Sequence, residues 1–261
     1  MKLRIYQVDA FTDKSFSGNP AAVCPLSEWL DDTTLQNIAM ENNLAETAFY
    51  VKDDDEYQLR WLTPAIEVDL CGHATLAAAF VLFNHENHKG NIINFRSPRS
   101  GKLTVTKNGD DLTLNFPSDI ISPILISDEL IKAFSIKPVE AYRGKTDILL
   151  VYENEEQIIN LKPDFGEIEK LKGRGVIVTA KGSTVDFVSR FFAPQCGINE
   201  DPVTGSAHTT LTPYWAKKLN KIELSAIQLS ARKGYLKCKY LTERVEISGK
   251  GKLYLTGEIY L

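Results

Sequence analysis

The chain has only four cysteines in 261 residues, at Cys24, Cys71, Cys196 and Cys238, far apart and with no C-x-x-C pair. That pattern excludes a disulfide framework and a zinc finger, and a reducing cytoplasm is the expected compartment. Histidine is equally scarce, with four. Cys71-x-His73 and His85-x-x-His88 are short pairs without a third or fourth ligand at a recognised spacing, so no metal is expected. No block of five or more like charges occurs, and the net charge of −4 gives no footprint for nucleic acid. The longest apolar run, 74–83, spans about ten residues including Thr75, against the roughly 20 that a bilayer crossing needs. The opening MKLRIYQVDAF alternates like a strand and does not resemble a signal peptide. Neither G-x-G-x-x-G nor G-x-x-x-x-G-K-[ST] is present, so no dinucleotide or phosphate loop and no cofactor is expected. Thr204-Gly205-Ser206-Ala207-His208 lacks the second glycine of a nucleophile elbow, which disfavours a serine hydrolase.

What the sequence does have is a core and a rhythm. With 43% apolar and 25% charged residues it has the composition of one large or two modest globular domains. Alternation predicts strands at 3–8, 47–51, 57–62, 92–95, 103–106 and 112–116, with Asn108-Gly109 as hairpin chemistry between the last two. A helix is expected after Asp31 or Asp32, with Leu35, Ile38 and Ala39 on one face, and a second from about His73 to Asn84. Beyond Pro117 the pattern continues with a helix near 128–134, strands at 147–152, 176–179 and 185–192, and a helix near 206–219. Two hairpins follow, turning at Arg232-Lys233-Gly234 and Gly249-Lys250-Gly251, and then a last strand.

The rhythm repeats. Arg60-Trp61-Leu62-Thr63-Pro64 corresponds to Arg190-Phe191-Phe192-Ala193-Pro194 at an offset of 130, and Gly72-His73-Ala74 to Gly205-Ser206-Ala207 at 133. Each half reads strand, proline turn, polar loop, glycine, apolar helix. A duplicated architecture is the expectation, with two equivalent loops facing one another across a cleft. Helix N-termini expose unpaired N–H groups and the positive end of the helix dipole, and two such ends suit a small carboxylated substrate. Either glycine taken alone serves close helix–strand packing equally well.

Candidate reactive side chains near these loops are Asp69, Cys71, His73, Asp201, Thr204, Ser206 and His208, and the segments GNPAAV (18–23) and NNLAETAFY (42–50) stand out beside them. Glu46 is the lone acid of the second segment, at the entrance to a strand. A desolvated carboxylate there would suit proton transfer; local sequence alone favours the plainer reading of a helix-end carboxylate facing solvent.

The blocks QVDAFTDKSFSGNPAAV, NLAETAFY, RWLTPAIEVDLCGHATLAAA and FAPQCGINEDPVTGSAHTTLTPYW together resemble the phenazine-biosynthesis PhzF-like family, in the family's order across about residues 7–215. The resemblance implies a mixed α+β, diaminopimelate-epimerase-like fold: two similar domains, each a curved, mostly antiparallel sheet around a central apolar helix. The expected division is 1–117, joined by the C-terminal strand 252–261, and 118–251. It also implies Glu46 as the acid/base, with His73 and Asp201 assisting, and Asn19, Gly72, Gly205 and Ser206 binding substrate, without metal or cofactor. A homodimer acting on a small carboxylated molecule is a further family expectation. Ala45 departs from the serine frequent in the family before the glutamate, which puts a close match of substrate in doubt. The related epimerases use a cysteine from each domain; here Cys71 holds the first position and Thr204 the second, and a threonine hydroxyl is too weak an acid or base for that partnership. The reading is therefore a cofactor-independent isomerase that shifts a proton. Its rivals are an amino-acid racemase or epimerase with a non-cysteine base, and a small-molecule-binding protein without turnover.

Overall fold

A computed structural model describes residues 1–261, which divide into two compact units, Met1–Asn115 with Ser248–Leu261, and Phe116–Ile247. The first contains β1 (Lys2–Ala10), β2 (Asn19–Leu26), α1 (Asp32–Asn42), β3 (Glu46–Asp53), β4 (Glu56–Leu62), β5 (Glu67–Val68), α2 (Gly72–Asn84), β6 (Ile92–Ser97) and β7 (Gly101–Asn108), together with the C-terminal strand Gly251–Tyr260, and β8 (Asp111–Pro117) begins in it. Helix α2 is apolar on all sides and buried from His73 to Ala79, as a helix enclosed by a sheet must be. It packs against β1, β2 and β3. Helix α1 is amphipathic and buries only Leu35, Ile38 and Ala39, which join Cys24, Leu26, Phe49, Val51 and Leu62 in one apolar cluster. Strands β2 and β3 are thus covered on both faces, which explains their near-continuous burial. Asp31 caps α1 by accepting from Thr34 N–H.

The second unit contains β9 (Ser122–Pro123), α3 (Asp128–Phe134), β10 (Glu140–Arg143), β11 (Asp147–Val151), α4 (Glu155–Asn160), α5 (Phe165–Glu169), β12 (Gly175–Lys181), β13 (Phe187–Phe192), α6 (Gly205–Leu219), β14 (Glu223–Gln228) and β15 (Gly234–Tyr240), and β16 (Arg244–Gly249) begins in it. Alternate residues of β12 face different helices. Val176, Val178 and Ala180 pack with Leu130, Phe134, Ile158 and Ile168 of the short helices, whereas Thr179 Oγ1 accepts a hydrogen bond from Trp215 Nε1 of α6.

Strand pairing shows the same order in both units. In the first, β2–β3 is parallel, β3–β4 antiparallel, β4–β6 parallel and β6–β7 antiparallel. In the second, β11–β12, β12–β13, β13–β14 and β14–β15 follow the same sequence of senses. The fold is therefore a mixed, mostly antiparallel α+β duplication with one long helix per repeat.

Three differences from the sequence pattern have physical causes. Strand β2 carries Pro20 and Pro25, which argue against a strand, yet both sit next to its ends and the residues between pair with β1 and β3. The Gly249-Lys250-Gly251 segment does not turn the chain back as a hairpin read from sequence would; it delivers the last strand alongside β1, from Ala10↔Gly251 to Lys2↔Tyr260. Its glycines are there for space: a Cβ on Gly249 would stand 2.4 Å from the Phe11 ring, and one on Gly251 2.6 Å from that of Phe80. Helix α6 contains Pro213, which cannot donate to the carbonyl of Thr209. Asp119 N–H supplies that bond from a neighbouring loop at 3.1 Å, and Asp119 Oδ2 accepts from Thr210 Oγ1 at 2.8 Å. The proline is tolerated because the fold replaces the donor it removes.

Candidate active site

Parallel pairing of β2 with β3 sets Ala21 beside Glu46, so both strands begin together, next to the start of α2. From those three starts come Asn19, Glu46 and His73. Buried His73, 4% exposed, is the hub: Nε2 lies 3.2 Å from Glu46 Oε2, Nδ1 3.2 Å from Asn19 Nδ2 and 3.5 Å from Cys71 Sγ. Despite their proximity, His73 Nε2 and Glu46 Oε2 are not aligned as a hydrogen bond, and neither atom has another hydrogen-bond partner. Each therefore has the other's charge and nothing else to satisfy it, an arrangement more useful in a reactive contact than in a purely structural one.

Burial by itself would push the His73 imidazole down, but the negative charge of Cys71 and Glu46 opposes it and the balance holds His73 well above its ordinary range. Burial, with Glu46 adding to it, also pushes the Cys71 thiol up. Cys71 and Glu46, in that order, are the neighbours that favour the protonated imidazole. Gly72 separates Cys71 from His73 at the first turn of α2, whose N-cap makes no side-chain hydrogen bond. Behind the loop, Arg60 holds Glu67 by two bonds of 2.8 Å and lies over the Trp29 ring. Asp69, a candidate on sequence, is instead an exposed partner of Arg99 at 3.2 Å.

The second unit repeats the frame with different side chains. Arg190 holds Glu200 at 2.7 and 2.9 Å, as Arg60 holds Glu67, and Thr204 occupies the N-cap position of α6 that Cys71 occupies on α2. Thr204 Oγ1 donates to Asp201 Oδ2. Gly205 and Ser206 open α6, and Ser206 C=O accepts from Thr209 Oγ1 at 2.7 Å. His208, the other candidate there, is fully buried, its Nδ1 2.8 Å from the Thr204 carbonyl. A carbonyl only accepts, so Nδ1 carries the proton, and burial, which pushes the ring down to about 4, keeps it neutral near pH 7. It pins the loop.

Sequence reasoning passed over Gln228. Its side chain is wholly buried; Oε1 accepts from Thr204 N–H at 2.8 Å, and Nε2 donates to the Asp201 carbonyl at 2.8 Å and to Thr204 Oγ1 at 3.2 Å. A lone glutamine at a strand end carries no motif signal, and only the fold brings it under the loop. Gln228→Leu is expected to strip these bonds, costing about 2 kcal/mol or more and several degrees of Tm. Thermal unfolding and KM measured together would check it; an unchanged Tm would show the loop to be held by other means.

Register also locates the counterpart of Glu46. Thr47 pairs with Leu62 and Val176 with Phe192; since Leu62 corresponds to Phe192, Gly175 corresponds to Glu46. A Cβ at Gly175 would stand 2.4 Å from Phe191 Cζ and 2.8 Å from the Phe192 carbonyl oxygen. The second repeat has no room for a carboxylate there. A cavity of about 600 Å³ elsewhere in the first unit is lined by Arg4, Tyr50, Lys52, Tyr57, Glu86 and His88 and by none of Glu46, Cys71 and His73. Several of its polar groups already pair with one another, Tyr57 with His88 and Glu86 with Tyr6, so size alone does not make it the reactive site.

Glu46, Cys71 and His73 each offer a donor atom, all within 4.8 Å of one another. Chemically the cluster pairs a carboxylate with a protonated imidazole in a water-poor setting, an arrangement able to take up and return a proton. No helix is long and apolar enough to cross a membrane.

Residues 8–257 match the sequence profile of the PhzC-PhzF family, described as phenazine biosynthesis-like protein. An uncharacterized isomerase of Pseudomonas aeruginosa is 52% identical over 261 residues, covering 100% of both chains. A crystal structure of a PhzF-family phenazine biosynthesis protein from Enterococcus faecalis superposes with a TM-score of 0.98 at 50% identity, again over 100% of both chains. A hydroxyproline epimerase from Agrobacterium vitis, at 11% identity and a TM-score of 0.62 over 99% of this chain and 92% of its own, shares the fold.

Proposed function

Because the chain belongs to the PhzC-PhzF phenazine biosynthesis-like family and is an isomerase, we propose that it moves a proton within a small carboxylated substrate without a cofactor, using Glu46 as general acid/base. Glu46 takes a proton from activated carbon and returns it to another carbon of the same π system. His73, whose protonated form Cys71 and Glu46 favour, donates a hydrogen bond to the negative charge that develops as the proton leaves. Asn19 lies 3.2 Å from Nδ1 and, with its carboxamide turned to present Oδ1, accepts from Nδ1–H and fixes the imidazolium. Asp201, Gly72, Gly205 and Ser206 are assigned to orienting the substrate and gripping its carboxylate through the motifs they share with the family, and that assignment is part of the proposal.

The observation that carries this reading is that the carboxylate occurs in one repeat only. A racemase that exchanges protons on opposite faces needs a base for each face, and the duplicated fold would be the natural way to supply both. Instead, Gly175 stands where the second glutamate would be, and Thr204 stands where a second cysteine would be, its hydroxyl already committed to Asp201. One base returning the proton it took is an isomerisation. Incubation with a panel of small carboxylated metabolites in deuterated water tests it. The expected product carries deuterium on carbon, less than one atom where Glu46 returns the proton it removed, with a relocated double bond. Inversion of a stereocentre with no double-bond shift would instead support the epimerase, and a ligand recovered unchanged and unlabelled would support a binding protein.

A further inference from the structure

The cluster around His73 has the composition of a metal site as well as of a proton-transfer site. We propose that Glu46, Cys71 and His73 reversibly bind a thiophilic divalent cation, Zn²⁺ in the first instance, and that the bound ion switches the enzyme off by occupying the lone pair of Glu46.

A thiolate, an imidazole and a carboxylate are the three ligand types zinc takes, and three protein ligands with an open fourth position make a complete site of the open kind. The sequence offered only Cys71 and His73; the third ligand comes from the start of β3, which the fold brings alongside. The separation of 3.2 Å between His73 Nε2 and Glu46 Oε2 is close to the edge of about 3.3 Å that a tetrahedron with bonds of about 2.0 Å requires. The thiol lies within the same 4.8 Å group, 3.5 Å from Nδ1, and a turn about its side-chain torsion, which no capping bond to α2 restrains, is needed to bring sulfur to the ion.

A second observation points the same way. Beyond facing one another at 3.2 Å, His73 Nε2 and Glu46 Oε2 are buried with no other hydrogen-bond partner, so a cation entering between them displaces only the imidazole proton. Zinc-bound histidines characteristically have their other ring nitrogen oriented by a polar neighbour. Here Asn19 meets Nδ1 at 3.2 Å, and with its carboxamide turned to present oxygen it accepts the Nδ1 proton that an Nε2-bound metal requires.

Binding stands on this geometry alone, whereas inhibition rests on Glu46 being the base. The two are separable because binding is read by metal absorption without substrate and inhibition by deuterium exchange. The probe for binding is Co²⁺, titrated into the metal-free full-length protein and followed by absorption. The expected result is a saturable band of thiolate-to-cobalt charge transfer at one ion per chain, absent from Cys71→Ser and weakened at least about tenfold in affinity in His73→Gln and Glu46→Gln. No band, or a band that survives in Cys71→Ser, would overturn the site. For regulation, Zn²⁺ is expected to abolish solvent-deuterium exchange by the wild type, reversibly on adding a chelator, and to cause no further loss of whatever exchange Cys71→Ser shows without zinc. A cobalt band of the right origin with exchange unaffected by zinc would keep the metal site and overturn the switch, and with it the role of Glu46. A loss of exchange on mutating Glu46, together with no cobalt band in wild type, would leave the isomerase reading intact and overturn the metal site.

Discussion

Glu46→Gln is expected to lower kcat by about three orders of magnitude while leaving the protein folded. General acid/base catalysis by a positioned side chain contributes roughly 10²–10⁴-fold, and Glu46 serves in both directions here, first as base and then as acid. Glutamine fills the same volume and keeps a carbonyl oxygen near His73, but it cannot hold the migrating proton. The variant does remove the charge that faces His73 at 3.2 Å, so Tm is expected to fall by several degrees with the protein still folded at assay temperature. The deficit belongs in kcat and in deuterium incorporation, with KM little changed, because the interaction removed acts mainly in the transition state. Glu46→Asp separates position from chemistry: it keeps the acid but withdraws it by roughly 1 Å, for which a loss on the order of 10²-fold is expected. Gln variants that exchange deuterium at the wild-type rate would remove Glu46 from the mechanism, and a fully active Asp variant would show that its reach does not matter.

Much of this was legible in the residues because the duplication leaves two independent copies of one pattern. Arg60 and Arg190, or Gly72 and Gly205, could each be accidental; in order, each ending a strand and opening a helix, they predict the shared pairing seen in β2–β7 and β11–β15. Long apolar helices are equally readable, since α2 and α6 must be buried whatever surrounds them. Short elements were not: α4 and α5 have six and five residues, too few for a period to show, and β2 was obscured by its prolines. The site was half legible. The motifs name Glu46 and His73, yet no spacing says that one faces the other, because the contact depends on where parallel β2 and β3 begin relative to α2. Gln228 has no local signal at all. The absence of a second carboxylate is a fact about register, and Gly175 becomes informative only once it is known which residue it replaces.

The other large effect expected is acid lability traceable to one side chain. Burial pushes His208 down to about 4, only partly opposed by its bond to the Thr204 carbonyl, and Nε2 has no partner in the core. An unfolded chain binds a proton on the same histidine near pH 6.5. Below that pH the unfolded state is protonated while the native state refuses the proton, so His208 contributes its full stability above about 6.5 and loses it progressively as pH falls toward 4. The difference between pH 7 and pH 4.5 amounts to about 2.5 kcal/mol from this group alone. His73 works with the opposite sign: its raised value favours the folded state below the unfolded pKa, and that contribution is lost only as pH rises through the folded one. Of the two histidines, His208 is therefore the one that destabilises the fold in acid. Denaturant unfolding at the two pH values should show wild type losing about 2.5 kcal/mol more than His208→Gln, even though the variant is the less stable protein at pH 7. Its amide can still donate to Thr204 but has no proton to gain. Parallel losses in the two proteins would mean that the imidazole finds a partner when it charges, and that the loop carrying Asp201 and Ser206 is not held by a neutral histidine. Since His208 anchors the N-cap residue of α6, the same experiment read as activity should show KM rising before global unfolding as pH drops, and that early rise should be missing in His208→Gln.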